Sequence, residues 1–398
     1  MISIKLSSNN QQATLYEYYI DCNQFFKFLE ISMIRLKLFQ LIGLAGLISQ
    51  IYKLLVNLIV LYKETIATEN SFFNEHNNRA LFNTFTTIDQ IFIFHDWITF
   101  NPFTFCNQFD SLWKLLPFSI RCRTIIETKL SSCRTKFIII SLANLILCYA
   151  FLFHDPLIGY KKVDHLTYIM KVISILGYGY SCLIVFHLMV TGIFLHSSLI
   201  CLSNVLDSLV YKSKVTRGRR IDLENGQHGL GTKTILFYRN VYQQLGQLVE
   251  ITDSSHRLFI GTFYLSCVPK FVTIVYDIAF TEATFKTFHI TEACVNLIRL
   301  FIITDSIARI PSFTSSFWKT IYRLTIVSPN NSAMIEANLF LERIRNHSHG
   351  IKIFNKKLIT PAIVPTMITA IITYFIAISS INRGQFVPDN DNDFGDDD

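Results

Sequence analysis

From Leu358 to Phe386 the chain reads LITPAIVPTMITAIITYFIAISSINRGQF. A helix needs about 20 mostly apolar residues to cross the hydrocarbon core of a bilayer, and Leu358–Ile381 has that reach without one charged side chain. Its polar groups are hydroxyls. Thr366, Thr369, Thr373 and Ser380 recur at intervals of three, four and seven, so on a helix they form a single stripe. Two environments accept such a stripe. In a packed helix each hydroxyl bonds back to its own backbone, and around a water-filled axis it is solvated. Apolar side chains between the polar ones are also what a dewetting gate requires.

Working outward from this segment, six more stretches have comparable reach: Leu38–Tyr62, Ala80–Phe105, Lys136–His154, His165–Leu202, Ser255–Ala283 and Thr287–Ile310. The second is interrupted by Asp89, His95 and Asp96, and it spans only if those groups face protein or water, because a mid-bilayer charge costs about 2.5–3.5 kcal/mol. The fourth is too long for one crossing and is expected to project into water as a helix. Composition agrees with a lipid setting: 51% of the 398 residues are hydrophobic and 16% charged, against roughly a quarter charged in soluble domains. The nine cysteines contain no CxxC pair, so neither a zinc site nor a disulfide framework is indicated. The first twenty residues lack the apolar core of a cleaved signal peptide, and the first long apolar segment is expected to act as a signal anchor.

The formal charge of +7 belongs to one membrane face and not to a nucleic-acid surface. Lys and Arg are in excess in the N-terminal segment and in the second-to-third, fourth-to-fifth and sixth-to-seventh connections, while the alternate connections and the tail are neutral or acidic. The positive-inside bias therefore places the N-terminus in the cytoplasm and the C-terminus outside. The expected organisation is a cytoplasmic segment 1–37, a six-helix membrane bundle 38–310 with a cytoplasmic helical extension around 203–254, a cytoplasmic anchor segment 311–357, a last helix 358–381 and an acidic outer tail 382–398. Lys212–Gly231 reads as a cytoplasmic loop. The helix from Lys233 carries Leu236, Val241, Leu245, Leu248 and Val249 at helical spacing. Ser332–Lys357 reads as a helix with Ile335, Leu339, Leu341 and Ile344 on its apolar side, packed against the Lys233 helix or lying on lipid.

Catalytic signatures are missing: no phosphate-binding glycine loop, GxSxG or HExxH is present, so an enzyme is not expected, and no cofactor or metal is implied. His347 and His349 read as a solvated turn. Charged and aromatic groups in the outer halves of the spans are candidate ligand contacts, because an intramembrane ionisable residue is functional by default. They are Asp89, Phe92, Tyr168, Lys171, Tyr276 and Asp277. The competing reading is a structural pairing of Lys171 with an aspartate.

The C-terminal residues resemble the ending of insect gustatory receptors, members of the arthropod seven-transmembrane chemoreceptor channels. The resemblance lies in the basic amphipathic Ile335–Arg345, Ile351-Lys-Ile-Phe354, Leu358 and Ala370-Ile-Ile-Thr-Tyr374. Tyr238-Arg-Asn-Val-Tyr-Gln-Gln-Leu-Gly-Gln-Leu-Val-Glu250 also looks like that family's long cytoplasmic helix. The family motif of Thr-Tyr, five mostly apolar residues and Gln-Phe is met by Thr373 and Tyr374, but Ser380 and Ile381 occupy the Gln-Phe positions. The resemblance implies an all-α membrane protein with seven transmembrane helices. It further implies a homo- or heterotetrameric, ligand-gated, non-selective cation channel at the plasma membrane. Small-molecule tastants would bind in an outer pocket among the second to sixth helices, and cations would permeate a pore lined by the seventh. By position, the pore would be lined by Thr366, Thr369, Thr373, Ile376, Ala377, Ser380 and Ile381, with Ile376 or Ile381 supplying a seal that the small Ala377 does not.

The alternative class is a seven-helix G-protein-coupled receptor. Against it stand the cytoplasmic N-terminus and the lack of an Asp-Arg-Tyr after the third span or an Asn-Pro-x-x-Tyr in the seventh; Asn101-Pro102 lies in the second span. A secondary transporter would show paired broken helices in its two halves, and Pro361 and Pro365 have no counterpart in the first half. Epitope tags on intact cells are expected to show the N-terminus only after permeabilisation and the C-terminus before it. The Asn330 and Asn346 sequons are expected to stay unglycosylated; sugar on either would reverse the orientation.

Overall fold

The computed structural model describes residues 33–67, 75–99, 109, 111–112, 120–153, 165–218, 232–280, 283–328, 331–346, 350–354 and 356–385. The expectations for most of the N-terminal segment, the Lys212–Gly231 loop from residue 219 onward, Asn101-Pro102, the His347/His349 turn and the acidic tail fall outside them. Eight helices make up nearly all of the described chain: α1 (Met33–Ala67), α2 (Glu75–Thr99), α3 (Ile120–Phe153), α4 (His165–Gly218), α5 (Thr232–Phe280), α6 (Ala283–Val327), α7 (Asn331–Asn346) and α8 (Ile363–Gln385). A two-stranded antiparallel hairpin, β1 (Lys352–Ile353) and β2 (Lys357–Leu358), precedes α8. The protein is all-α. Where no water can serve the backbone, a helix satisfies its own amides and carbonyls, which is why these apolar stretches take that form.

Helix α4 is the central post. It packs against α6, α3, α2, α5 and α1, and Val185, Leu188, Met189, Phe194, Leu195, Leu202 and Leu206 along it are sealed from solvent. Helix α1 is the opposite case. It rests on α2 and shows Leu41, Leu44, Ile48, Ile51, Leu55 and Ile59 on its outer face. A contiguous apolar face of that length is untenable in water and natural in lipid. By length and composition, three described stretches suffice to cross a membrane, Gln40–Lys63, Val172–Tyr211 and Thr232–Tyr276, and Ile363–Ala377 is a shorter apolar helix.

Several boundaries differ from the sequence reading. Helix α5 is continuous from Thr232 to Phe280 through Pro269, and α6 runs through Pro311 to Val327, well past Ile310. The far ends of α4, α5 and α6 together with α7 form a layer continuous with the bundle core. In it Tyr242 stacks on Phe317 with centroids 5.6 Å apart, Phe340 lies 5.5 Å away, and Arg239 pairs with Glu336 at 2.7 Å. Helix α7 ends at Asn346, short of Lys357, and buries Ala333, Ala337, Phe340 and Ile344, leaving Ile335 and Leu339 exposed. Its small alanines face α6 because they allow closer approach than the isoleucine and leucine would.

The hairpin enters where Leu358 was expected to start the last helix. Asp253 Oδ1 on α5 accepts the Lys352 amide at 2.7 Å, and Ile351 and Ile359 are fully buried. Phe354 holds a left-handed φ of 47° and lays its ring on Gly261 of α5, where a Cβ would collide with it. At the α4–α6 crossing, a Cβ on Gly192 would strike the carbonyl oxygen of Ser306, which is backbone and cannot rotate away. Gly192→Ala is therefore expected to cost about 1–3 kcal/mol through overpacking, read as earlier thermal unfolding in detergent. An unchanged midpoint would mean that the crossing is not tight.

Candidate functional site

Helix α2 is polar on the side it turns toward α4 and α5. Asp89, Gln90, Ile93, Asp96 and Trp97 follow an i, i+1, i+4, i+7, i+8 pattern, so a helix gathers them on one face. The two carboxylates each find a partner on α5. Asp96 Oδ2 lies 2.8 Å from His256 Nδ1, and His256 Nε2 lies 2.7 Å from Nδ1 of His187 on α4. All three residues are buried. An ionised carboxylate only accepts, so His256 donates from Nδ1. His256 Nε2 and His187 Nδ1 share one hydrogen, whose donor depends on the tautomer, and this contact carries the chain across three helices. Trp97, next to Asp96 on α2, stacks on Tyr180 with centroids 4.6 Å apart.

One to two turns along, Lys270 of α5 forms an ion pair with Asp89 Oδ2, and Ser266 Oγ donates to Asp89 Oδ1 at 2.8 Å. Beside this pair lies a small cleft, about 30 Å³, that opens outward. Thr86, Asp89, Gln90 and Ile93 of α2 line it, with Tyr178, Ser181 and Val185 of α4, Phe259, Phe263 and Lys270 of α5, and Asn296 and Arg299 of α6. Gly177 on α4 makes room for the Gln90 side chain, whose amide oxygen occupies the place a Cβ would take. The cleft combines apolar walls with a few convergent polar groups, the usual composition of a small-molecule site.

The expected contacts are only partly assembled. Asp89 lines the cleft, whereas Phe92 is half-buried on α2 and does not line it. Tyr276 is buried elsewhere, with Val272 and against Ile371 of α8. Six residues separate it from Lys270, which at 3.6 residues per turn is about 240° of rotation and turns it toward the last helix. The side chains of Tyr168, Lys171 and Asp277 lie outside the described residues, and Asp89 pairs with Lys270. His187, His256 and Arg299 were not singled out from sequence. His187 and Arg299 stand in apolar runs, where the rule that intramembrane ionisable residues deserve a role is the signal that marks them, whereas His256 lies in the polar stretch Thr252–Arg257 and carries no such mark.

On α8, the face toward the rest of the chain consists of Val364, Met367, Ile371 and Phe375. Thr366, Thr369, Thr373, Ala377 and Ser380 lie on roughly the opposite side and are exposed, as are Tyr374 and Ile376; the side chain of Ile381 is outside the described residues. The four hydroxyls bond to the carbonyls of Ala362, Pro365, Thr369 and Ile376 at 2.8–2.9 Å.

The sequence matches no protein-family model and no curated protein. The fold is similar to that of the insect olfactory receptor OR5 from Machilis hrabei, with a TM-score of 0.65 at 10% identity over 89% of this chain and 91% of that one. The same receptor in complex with eugenol aligns with a TM-score of 0.60 at 11% identity, over 96% and 93% of the two chains. The chain thus has the fold of an insect olfactory receptor along nearly its full length.

Removing one partner of the Lys270–Asp89 pair leaves a charge without compensation. Lys270→Met or Asp89→Asn alone is expected to destabilise the protein by about 3 kcal/mol, and the double variant to recover most of it, as for buried pairs generally. Additive losses in a double-mutant cycle of detergent unfolding would show that the two groups do not act together.

Proposed function

We propose that this protein is a chemosensory receptor that acts as a ligand-gated, non-selective cation channel in the plasma membrane. Small molecules bind in the cleft among α2, α4, α5 and α6, and four copies, alike or mixed with related chains, surround a pore lined by α8. The observation that carries this reading is the placement of the α8 hydroxyls on the side turned away from their own subunit. Each hydroxyl donates to its own helix, and water along a shared axis serves the lone pairs that remain, while the intervening Ile376 can seal it. The full-length likeness to an insect olfactory receptor supports the same class, and the complex of that receptor with eugenol supports a small organic ligand. The G-protein-coupled alternative gains nothing from either. Because the resemblance at the C-terminus is to gustatory receptors, a contact-chemical ligand is the finer reading.

Coupling has a direct physical route. Phe259, Phe263 and Lys270 reach the cleft from α5, and Val272 and Tyr276 on the same helix pack with Ile371 of α8. A ligand gates the pore only by binding the open arrangement more tightly, since equal affinity for both shifts nothing. Closing the cleft around a ligand moves α5, and α8 follows through Tyr276. Thr373→Leu or Ser380→Leu is expected to lower ligand-evoked current several-fold while surface expression is kept, measured by whole-cell recording with surface biotinylation. Full currents in both variants would remove these residues from the conduction path.

A further inference from the structure

The cleft holds one cation more than it can balance. Lys270 is neutralised by Asp89, but Arg299, only 7% exposed, has no carboxylate partner among the described residues. Its guanidinium carbon stands 5.8 Å from the centroid of the Tyr178 ring, which stabilises the charge in part. Its Nε and Nη2 are buried with no hydrogen-bond partner. These two atoms share one edge of the guanidinium, the edge that takes a carboxylate side-on through two parallel hydrogen bonds. A buried ionised group in this condition is costly, and native proteins leave such a group where a ligand completes it.

We propose that Arg299 is the anchor for the carboxylate of a small amphipathic organic acid. Ile93, Val185, Phe259 and Phe263 provide apolar walls for the rest of that molecule, and Asn296 offers it a hydrogen bond. A bare inorganic anion would leave those walls unfilled, and a neutral ligand would leave the Arg299 edge unmatched. The assignment rests on the cleft being the ligand site of the channel proposed above, and it names the class of ligand that site selects.

The test reads binding on purified full-length protein in nanodiscs at neutral pH, apart from any current. Hexanoate and phenylacetate are titrated against their methyl esters and against chloride, with affinity taken from calorimetry or thermal stabilisation. The acids are expected to bind at least ten-fold more tightly than the esters, with Arg299→Gln abolishing the difference and Arg299→Lys keeping part of it. Esters that bind as well as acids, chloride that displaces the acids at equal concentration, or an Arg299→Gln protein that still prefers acids would each overturn the proposal. The acid–ester comparison needs no variant, so it decides even where Arg299→Gln does not fold. Acid binding without evoked current supports the carboxylate site and refutes the channel, whereas evoked current without acid preference does the reverse.

Discussion

Two carboxylates on α2 can lie inside an apolar bundle only because α5 brings a lysine and a histidine to meet them. Burying an isolated carboxylate is prohibitive, and pairing with full hydrogen bonding is what makes it tolerable. Asp89 with Lys270 and Ser266, and Asp96 with His256 and His187, therefore set how α2 and α5 lie against each other. The cleft follows from that setting. It opens where the polar face of α2 stands off from α4 and α6, and it inherits both its charge and its shape from the same contact.

Helix α5 then connects everything else. Its first half packs in the layer with α6 and α7, its middle carries His256 and Phe263 into the bundle, Asp253 and Gly261 receive the hairpin, and Tyr276 meets α8. A single continuous helix thus touches the ligand cleft, the approach to the last helix and the last helix itself. Pro269 sits within the stretch that lines the cleft, next to Lys270 and about two turns before Tyr276, at a point where one backbone hydrogen bond is given up and bending is least resisted.

Much of the bundle was legible in the sequence because hydropathy records what a segment touches. The apolar runs that became α1 and α8 could be placed to about five residues at either end and the start of α4 at His165, though α4 continues helical past Leu202 and into the stretch read as a loop, and the hydroxyl stripe could be read directly. The end of α6 was not legible, since Arg323 and other polar residues beyond Pro311 look like a loop to a hydropathy scale while they form the surface of a helix leaving the membrane. Helix α7 misled in another way. Ile335 and Leu339 seem to define its apolar side, yet the tight crossing with α6 selects Ala333 and Ala337. Within the site, Asp89 stood out as a charge in a span, but its partner did not. Which helix face carries Lys270 depends on helix rotation, which periodicity in a largely apolar run does not fix. The chain from Asp96 to His187 was invisible for the same reason.

The pairing of α2 with α5 also has a place in time. The residues of the Asp96–His256 contact are 160 apart in the chain, so at about 5–20 residues per second α2 waits some 8–30 s for its partner to be made. During that interval its two acids have no basic groups from α5. The α2–α5 contact, and the cleft that depends on it, therefore closes only after the fifth helix has been made. Assembly of this bundle is ordered by charge and not by position in the chain.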